Sequence, residues 1–243
     1  MTKAPIAVAL DAPDLATMSL WAQQVTPHVQ VLKVGLEVFL RDGHTSVTTV
    51  REVSECDIFL DLKLHDIPAT VAGAARSVAA LKPKYLTVHA SGGPDMVKAA
   101  ADALPDTLVT AVTILTSLDQ AQLSAMGWAG NAQDIVVNLA KQAVDAGARA
   151  IVCSPQEVAA VRSAVSDDIV LITPGVRPAG SDAGDQKRIA TPEQALADGA
   201  NILVIGRPIT GAPDLAEAAR TIANFQIPEA LESKTARNSE NSD

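Results

Sequence analysis

Eight short apolar runs rich in branched side chains recur along the chain: Ile6 to Leu10, Val31 to Val34, Ile58 to Leu62, Tyr85 to Val88, Leu108 to Thr113, Ala150 to Cys153, Ile169 to Thr173 and Ile202 to Ile205. Runs of this length and composition match strands buried on both faces. Between them lie stretches with helical spacing, such as Leu15, Met18, Ala22 and Val25 behind a capping Asp14, and Leu215, Ala218, Ala219 and Ile222 behind Asp214. Strand alternates with helix throughout, which places the chain in the α/β class with a parallel sheet. Eight such units in 243 residues predict a single (β/α)8 TIM barrel over residues 1–228. A doubly wound sheet fits less well, because Leu10 is followed by DAPD and not by a glycine-rich first turn. The segment 229–243, EALESKTARNSENSD, is polar, with Leu231 its one large apolar residue, and reads as a disordered tail.

Lys and Arg number 19 against 28 Asp and Glu, a formal net charge of -9. This balance offers no electrostatic footprint for a phosphate polymer, so nucleic acid is not an expected partner and any anionic ligand must be held by local groups. Cys56 and Cys153 have no second Cys or His at metal-ligand spacing and are expected to be reduced thiols. Asp11 interrupts the N-terminal apolar stretch, and no run approaches the roughly 18 apolar residues of a membrane span. A cytoplasmic protein without a membrane partner is expected.

In barrels of this kind the chemistry sits at the C-terminal ends of the strands. There the runs meet ionisable residues: Asp11 after the first, Lys33 in the second, Asp61 in the third with Lys63 just past its end, and Arg207, behind Gly206, after the eighth. Asp61 and Lys63 stand two apart in DLKLHD, so strand alternation sends both to the barrel interior and Leu62 away from it. A structural ion pair is the plain reading of an isolated DxK. Burying those charges at a barrel mouth, however, costs several kcal/mol per ion before pairing, and Lys33 on the next strand adds a third charge. His65 reads as a hydrogen-bonded structural residue or a general acid or base, and His89 closes the fourth run in the same layer. Thr113 ends the fifth run and Thr116 and Ser117 follow it, a Thr-rich stretch where a solvated loop with a helix cap is the simple expectation, and Cys153 is a small apolar filler. TPGVRP, Thr173 to Pro178, and IGRPI, Ile205 to Ile209, suit an anion: barrels often build a phosphate site after strands seven and eight. Gly206 admits close backbone approach and Arg207 offers a two-pronged donor. The segment Arg177 to Arg188, RPAGSDAGDQKR, reads as a mobile lid.

LDLKLHDIPAT, Leu60 to Thr70, resembles the signature of the orotidine 5'-phosphate decarboxylase family. The flanking motifs agree in order and spacing: LDAPD with Asp11, LKVG with Lys33, ILTS with Thr116, TPGVRP with Arg177, Gln186 in the lid segment, and IGRPI with Gly206 and Arg207. The resemblance spans nearly the whole barrel. It implies decarboxylation of orotidine 5'-phosphate to UMP, the last step of de novo pyrimidine nucleotide synthesis, with no cofactor and no metal. It further implies that Lys63 protonates C6 within an alternating Lys33, Asp61, Lys63, Asp66 array. Asp11 and Lys33 would hold ribose hydroxyls, Thr116 would sit by the pyrimidine, and Gln186, Arg207 and the Gly206 N–H would hold the phosphate. Ile67, Arg177 and Pro178 join the substrate-binding set. In the family, the residues matching Asp66 and Thr70 reach into the partner subunit's site, so a homodimer with composite sites is expected.

Two other readings compete. A sister enzyme, a β-keto acid decarboxylase or hexulose phosphate synthase, shares DxKxxD and uses Mg2+ to stabilise an enediolate. The Pro and Thr of DIPAT and the lack of an obvious extra carboxylate on a neighbouring strand stand against it. A non-catalytic nucleotide-binding barrel would leave the intact charged set without a task.

Overall fold

A computed structural model describes residues 3–177 and 190–224. Its strands are β1 (Ala4–Ala9), β2 (Val29–Gly35), β3 (Asp57–Leu64), β4 (Tyr85–His89), β5 (Leu108–Val112), β6 (Ala150–Val152), β7 (Val170–Thr173) and β8 (Ile202–Ile205). Each lies on one of the eight apolar runs. All pair in parallel, in sequence order, and β1 closes against β8 through Ile6 to Val8 paired with Leu203 to Ile205. The fold is a (β/α)8 TIM barrel, as the alternation predicted.

Two helices begin at the aspartates that the sequence offers as caps. Asp14 accepts the Thr17 N–H at 2.7 Å before Leu15–Val25, and Asp214 accepts the Glu217 N–H at 3.0 Å before Leu215–Ala223. Met18, Ala22 and Val25 of the first helix are buried, so the 3.6-residue spacing does face the barrel. The helix after the Thr-rich segment, Gln120–Ala125, is capped by Asp119 and not by Thr116 or Ser117. Thr113 is buried instead, its hydroxyl donating to the Val152 carbonyl at 2.9 Å.

Two apolar layers result. The outer layer joins the helices to the outward faces of the strands and includes Leu32, Leu60, Leu86, Ile151 and Leu203. The inner layer fills the barrel with Ala7, Val31, Phe59, Tyr85, Val112, Ala150, Val152, Ile172 and Ile202. The Phe59 and Tyr85 rings meet edge to face at 5.7 Å between centroids. The lumen is therefore packed solid, and an open site has to be built above this plug. Among the described residues no helix is long and apolar enough to cross a membrane. The expected tail from Glu229 and most of the expected lid lie outside the described residues.

Candidate active site

The third strand carries the charged centre. Phe59 belongs to the inner plug, so alternation puts Asp61 inward one layer above it, while Leu62 packs into the outer layer. The Lys63 ammonium meets both Asp61 oxygens, at 2.8 Å and 2.9 Å. Inward placement was legible in the sequence; the route to it was not. Leu60 pairs with Leu86 and Leu64 pairs with Val88, so four steps on β3 match two on β4 and the ladder bulges between them. Lys63 sits in that bulge with φ +50°, a conformation that costs a non-glycine residue about 1–2 kcal/mol. Such strain persists where its surroundings hold it in place, here to aim an ammonium.

Asp61 and Lys33 are each only 9% exposed. Lys33 Nζ lies 3.4 Å from Asp61 Oδ2 and 3.8 Å from Asp11 Oδ1. Burial opposes the Asp61 charge, but Lys33, Lys63 and the hydrogen bonds from Lys63 and Thr87 outweigh it and hold the carboxyl below the usual carboxylate range. The centre is thus a row of alternating charge, Asp11, Lys33, Asp61, Lys63, and a buried ion pair of this kind is poor evidence of a stability role.

Above the plug lies a cavity of about 270 Å³ lined by Lys33, Asp61 and Lys63, by Phe59, Val112, Ile114, Val152 and Val204, and by Leu115, Thr116, Ser117 and Pro174. It has a charged wall, an apolar floor and a polar rim, the form of a small-molecule site. Thr116, read from the sequence as part of a solvated loop, lines its rim. The half-buried Gly206 and exposed Arg207 follow β8, with Arg207 opening the short helix Arg207–Thr210. Arg177 is buried, one guanidinium nitrogen donating to the Val176 carbonyl at 2.9 Å. Pro178 and Gln186 lie outside the described residues.

Asp66, Ile67 and Thr70 stand apart from this cavity. All three are exposed, Ile67 by 65%, and Asp66 Oδ1 accepts the Ile67 N–H at 2.6 Å just before the helix Pro68–Val78. Within one chain, then, Asp66 does not complete the array with Lys63. His65 and His89 sit with ring centroids 5.3 Å apart. Burial, with His65 and Lys63 nearby, pushes His89 below the ordinary histidine value.

Two residues of the centre escaped the sequence reading. A Cβ at Gly35 would stand 2.5 Å from Asp11 Oδ1 and 3.0 Å from Lys33 Nζ, so glycine is what lets those two side chains approach. Thr87 on β4 is fully buried and bonds to both Asp61 and Lys63. The closeness of Gly35 to Lys33 in LKVG was the one available signal for the first; Thr87 offered none beyond its place in a strand.

The Orotidine 5'-phosphate decarboxylase / HUMPS family model matches residues 4–222. The chain is 65% identical over 220 residues to the orotidine 5'-phosphate decarboxylase of Thermobifida fusca (strain YX), covering 90% of this chain and 94% of the relative. It is 55% identical over 238 residues to that of Frankia casuarinae, covering 91% and 87%. Among solved structures, the orotidine 5'-phosphate decarboxylase of Lactobacillus acidophilus superposes with a TM-score of 0.77 at 34% identity, over 90% of this chain and 97% of the other. Half of the chain is far exceeded by each of these matches, and the bulged, charged third strand lies inside the matched span: the chain belongs to the Orotidine 5'-phosphate decarboxylase / HUMPS family.

Proposed function

We infer that this chain is a carboxy-lyase of pyrimidine nucleotide synthesis, converting orotidine 5'-phosphate to UMP and carbon dioxide, with Lys63 supplying the proton that replaces the carboxylate at C6. The observation that carries the mechanism is the Lys33, Asp61, Lys63 row on the wall of the cavity. Breaking the bond between C6 and the carboxylate releases carbon dioxide and leaves the electron pair on C6. A ring carbon of this kind has no good electron sink, so an adjacent ammonium acts mainly as that charge develops. The Lys63 ammonium then gives its proton to C6, forming the new C–H bond, and the neutral amine is reprotonated from solvent. Asp61 aligns the two ammonium groups and keeps the site ionised.

The remaining groups position the nucleotide. Asp11 and Lys33 hold ribose hydroxyls, Thr116 lies against the pyrimidine, and Arg207 with the Gly206 N–H holds the phosphate, joined by Gln186, Arg177 and Pro178. In a protein of net charge -9 such local capture of an anion is required. Phosphate is remote from C6, so its binding energy can assemble the charged row around the reacting end. The exposed Asp66, Ile67 and Thr70 serve the site of a second copy, making the enzyme a homodimer of composite sites; an apolar side chain as open as Ile67 supports burial against a partner.

Gly35→Ala pushes a methyl group against Asp11 and Lys33, the two groups assigned to ribose. Both obstacles are ends of flexible side chains, so the barrel still folds, while KM for orotidine 5'-phosphate rises roughly tenfold or more. Steady-state kinetics with a thermal melt checks this; an unchanged KM removes Asp11 and Lys33 from the ribose assignment.

The function itself is tested by mixing purified protein with orotidine 5'-phosphate in buffer with and without EDTA and following the pyrimidine absorbance. Equal turnover in both is the expected result. Activity confined to the arm without EDTA makes the decarboxylation metal-dependent, no turnover and no UMP binding in either arm leaves the Mg2+-dependent sugar-phosphate chemistry of the sister enzymes, and UMP binding without turnover points to a non-catalytic binder; each of these outcomes overturns the proposal.

A further inference from the structure

The structure assigns Thr87 a role as the positioning residue of the Asp61 and Lys63 pair: its single hydroxyl ties the main chain of the proton donor to the carboxylate that faces it. The assignment rests on the reading of Lys63 as the acid, and adds a residue that neither the motifs nor the cavity lining includes.

The geometry begins with the bulge. Leu60 to Leu64 on β3 runs opposite Leu86 to Val88 on β4, and Thr87 is the residue of β4 left facing the extra backbone. A bulge strips some groups of their ladder partners, and a buried N–H without one costs about 1–3 kcal/mol. Here the Lys63 N–H donates to Thr87 Oγ1 at 2.8 Å, and the hydroxyl stands in for the missing strand carbonyl. Thr87 Oγ1 lies 3.0 Å from Asp61 Oδ1. A backbone N–H can only donate and a carboxylate only accepts, so the hydroxyl proton is forced toward Asp61. Competition from the far side is absent: Thr110, paired with Thr87 across β4 and β5, turns its own hydroxyl to the Leu108 carbonyl at 2.9 Å.

The consequence is a carboxylate with a fixed rotation. Asp61 Oδ1 receives Thr87 and Lys63, while Oδ2 receives Lys63 at 2.9 Å and faces Lys33 at 3.4 Å. Turning the carboxylate would break the Thr87 bond and unseat both ammonium groups. Lys63, for its part, sits at φ +50°, a conformation its own side chain does not favour, and the Thr87 acceptor is the polar contact that holds its N–H there. Of the described groups assigned to ribose, base and phosphate, Lys33 alone touches Asp61, at 3.4 Å, and Asp11 at 3.8 Å remains as its second partner, so loss of Thr87 falls mainly on chemistry and little on affinity.

Three variants test this: Thr87→Val, Thr87→Ala and Thr87→Ser, each measured for kcat, KM for orotidine 5'-phosphate, affinity for UMP and thermal midpoint. A hydrogen bond to a charged group contributes enough that kcat in the Val and Ala variants falls roughly 10- to 100-fold, with KM and UMP affinity within about threefold of wild type. Thr87→Ser, which keeps the hydroxyl, returns kcat to within about threefold of wild type. If the Val variant does not fold, the Ser and Ala variants, which both lack the methyl group, isolate the hydroxyl by themselves. Wild-type kcat in the Ala variant, a Ser variant as slow as Ala, or a loss carried by KM alone overturns the role of Thr87. A parallel Lys63→Ala measurement keeps the two readings apart: an active Lys63→Ala protein defeats the assignment of the acid, whereas an inactive one beside an undisturbed Thr87→Ala defeats only the assignment of Thr87.

Discussion

Replacing Lys63 by alanine is expected to lower kcat by roughly four orders of magnitude or more, because on the proposed mechanism the change removes both a general acid and a charge aimed at the developing carbanion, effects worth about 10²–10⁴ and 10²–10³ respectively. The fold survives. Lys63 is half-exposed at the cavity and contributes its side chain to no apolar layer, and alanine at φ +50° is no more strained than lysine there. Asp61 keeps Lys33 at 3.4 Å and the Thr87 hydroxyl at 3.0 Å, so the buried carboxylate is not left bare. UMP carries no C6 carboxylate and in the proposed binding mode is held through ribose, base and phosphate, so its affinity is expected to change little. Stopped-flow or steady-state turnover together with UMP titration checks the separation. A variant retaining as much as a tenth of wild-type kcat would show that the proton reaches C6 from another group.

How much of this was legible in advance depended on whether a property was local. The eight strands were, since a buried parallel strand must be an apolar run, and the runs at Ile58 to Leu62 and Ile202 to Ile205 fall within β3 and on β8. Asp61, Lys63 and Lys33 were legible because charge inside an apolar run is conspicuous. The bulge was not. DLKL alternates as a regular strand would, and the usual mark of positive φ, a glycine or asparagine, is missing at Lys63. Thr87 was hidden for a related reason: threonine is a common strand residue by virtue of its branched side chain, and its partners lie 24 and 26 positions away on another strand. Gly35 is needed for the room it leaves and not for a turn, since its φ is -85°, so beyond the nearness of Lys33 in LKVG nothing signals it, and the approach of Asp11 from another strand has no local mark. Asp66 was legible as a residue type but not as a position, because one chain alone leaves it facing outward.

That outward placement makes the second large effect a matter of mixing. Asp66→Asn removes a carboxylate that the proposed composite site draws from the partner, so this variant, like Lys63→Ala, is nearly inactive when pure. In a heterodimer of the two, one site combines the Lys63→Ala chain with the partner subunit's Asp66→Asn and is doubly impaired. The other combines an intact Lys63 with an intact carboxylate and is whole. Random exchange of equal amounts makes half the dimers mixed, each with one working site of two, so roughly a quarter of wild-type activity returns in an isologous two-fold dimer. Neither parent can supply that activity, and a monomeric enzyme has no means to produce it. The measurement is turnover of the mixture after exchange has been confirmed by native mass measurement. Recovery near zero in a confirmed heterodimer assigns Asp66 to its own subunit's site; the exposed turn before Pro68–Val78 would then have to fold back over the cavity on binding, and Ile67 would need another reason to face outward.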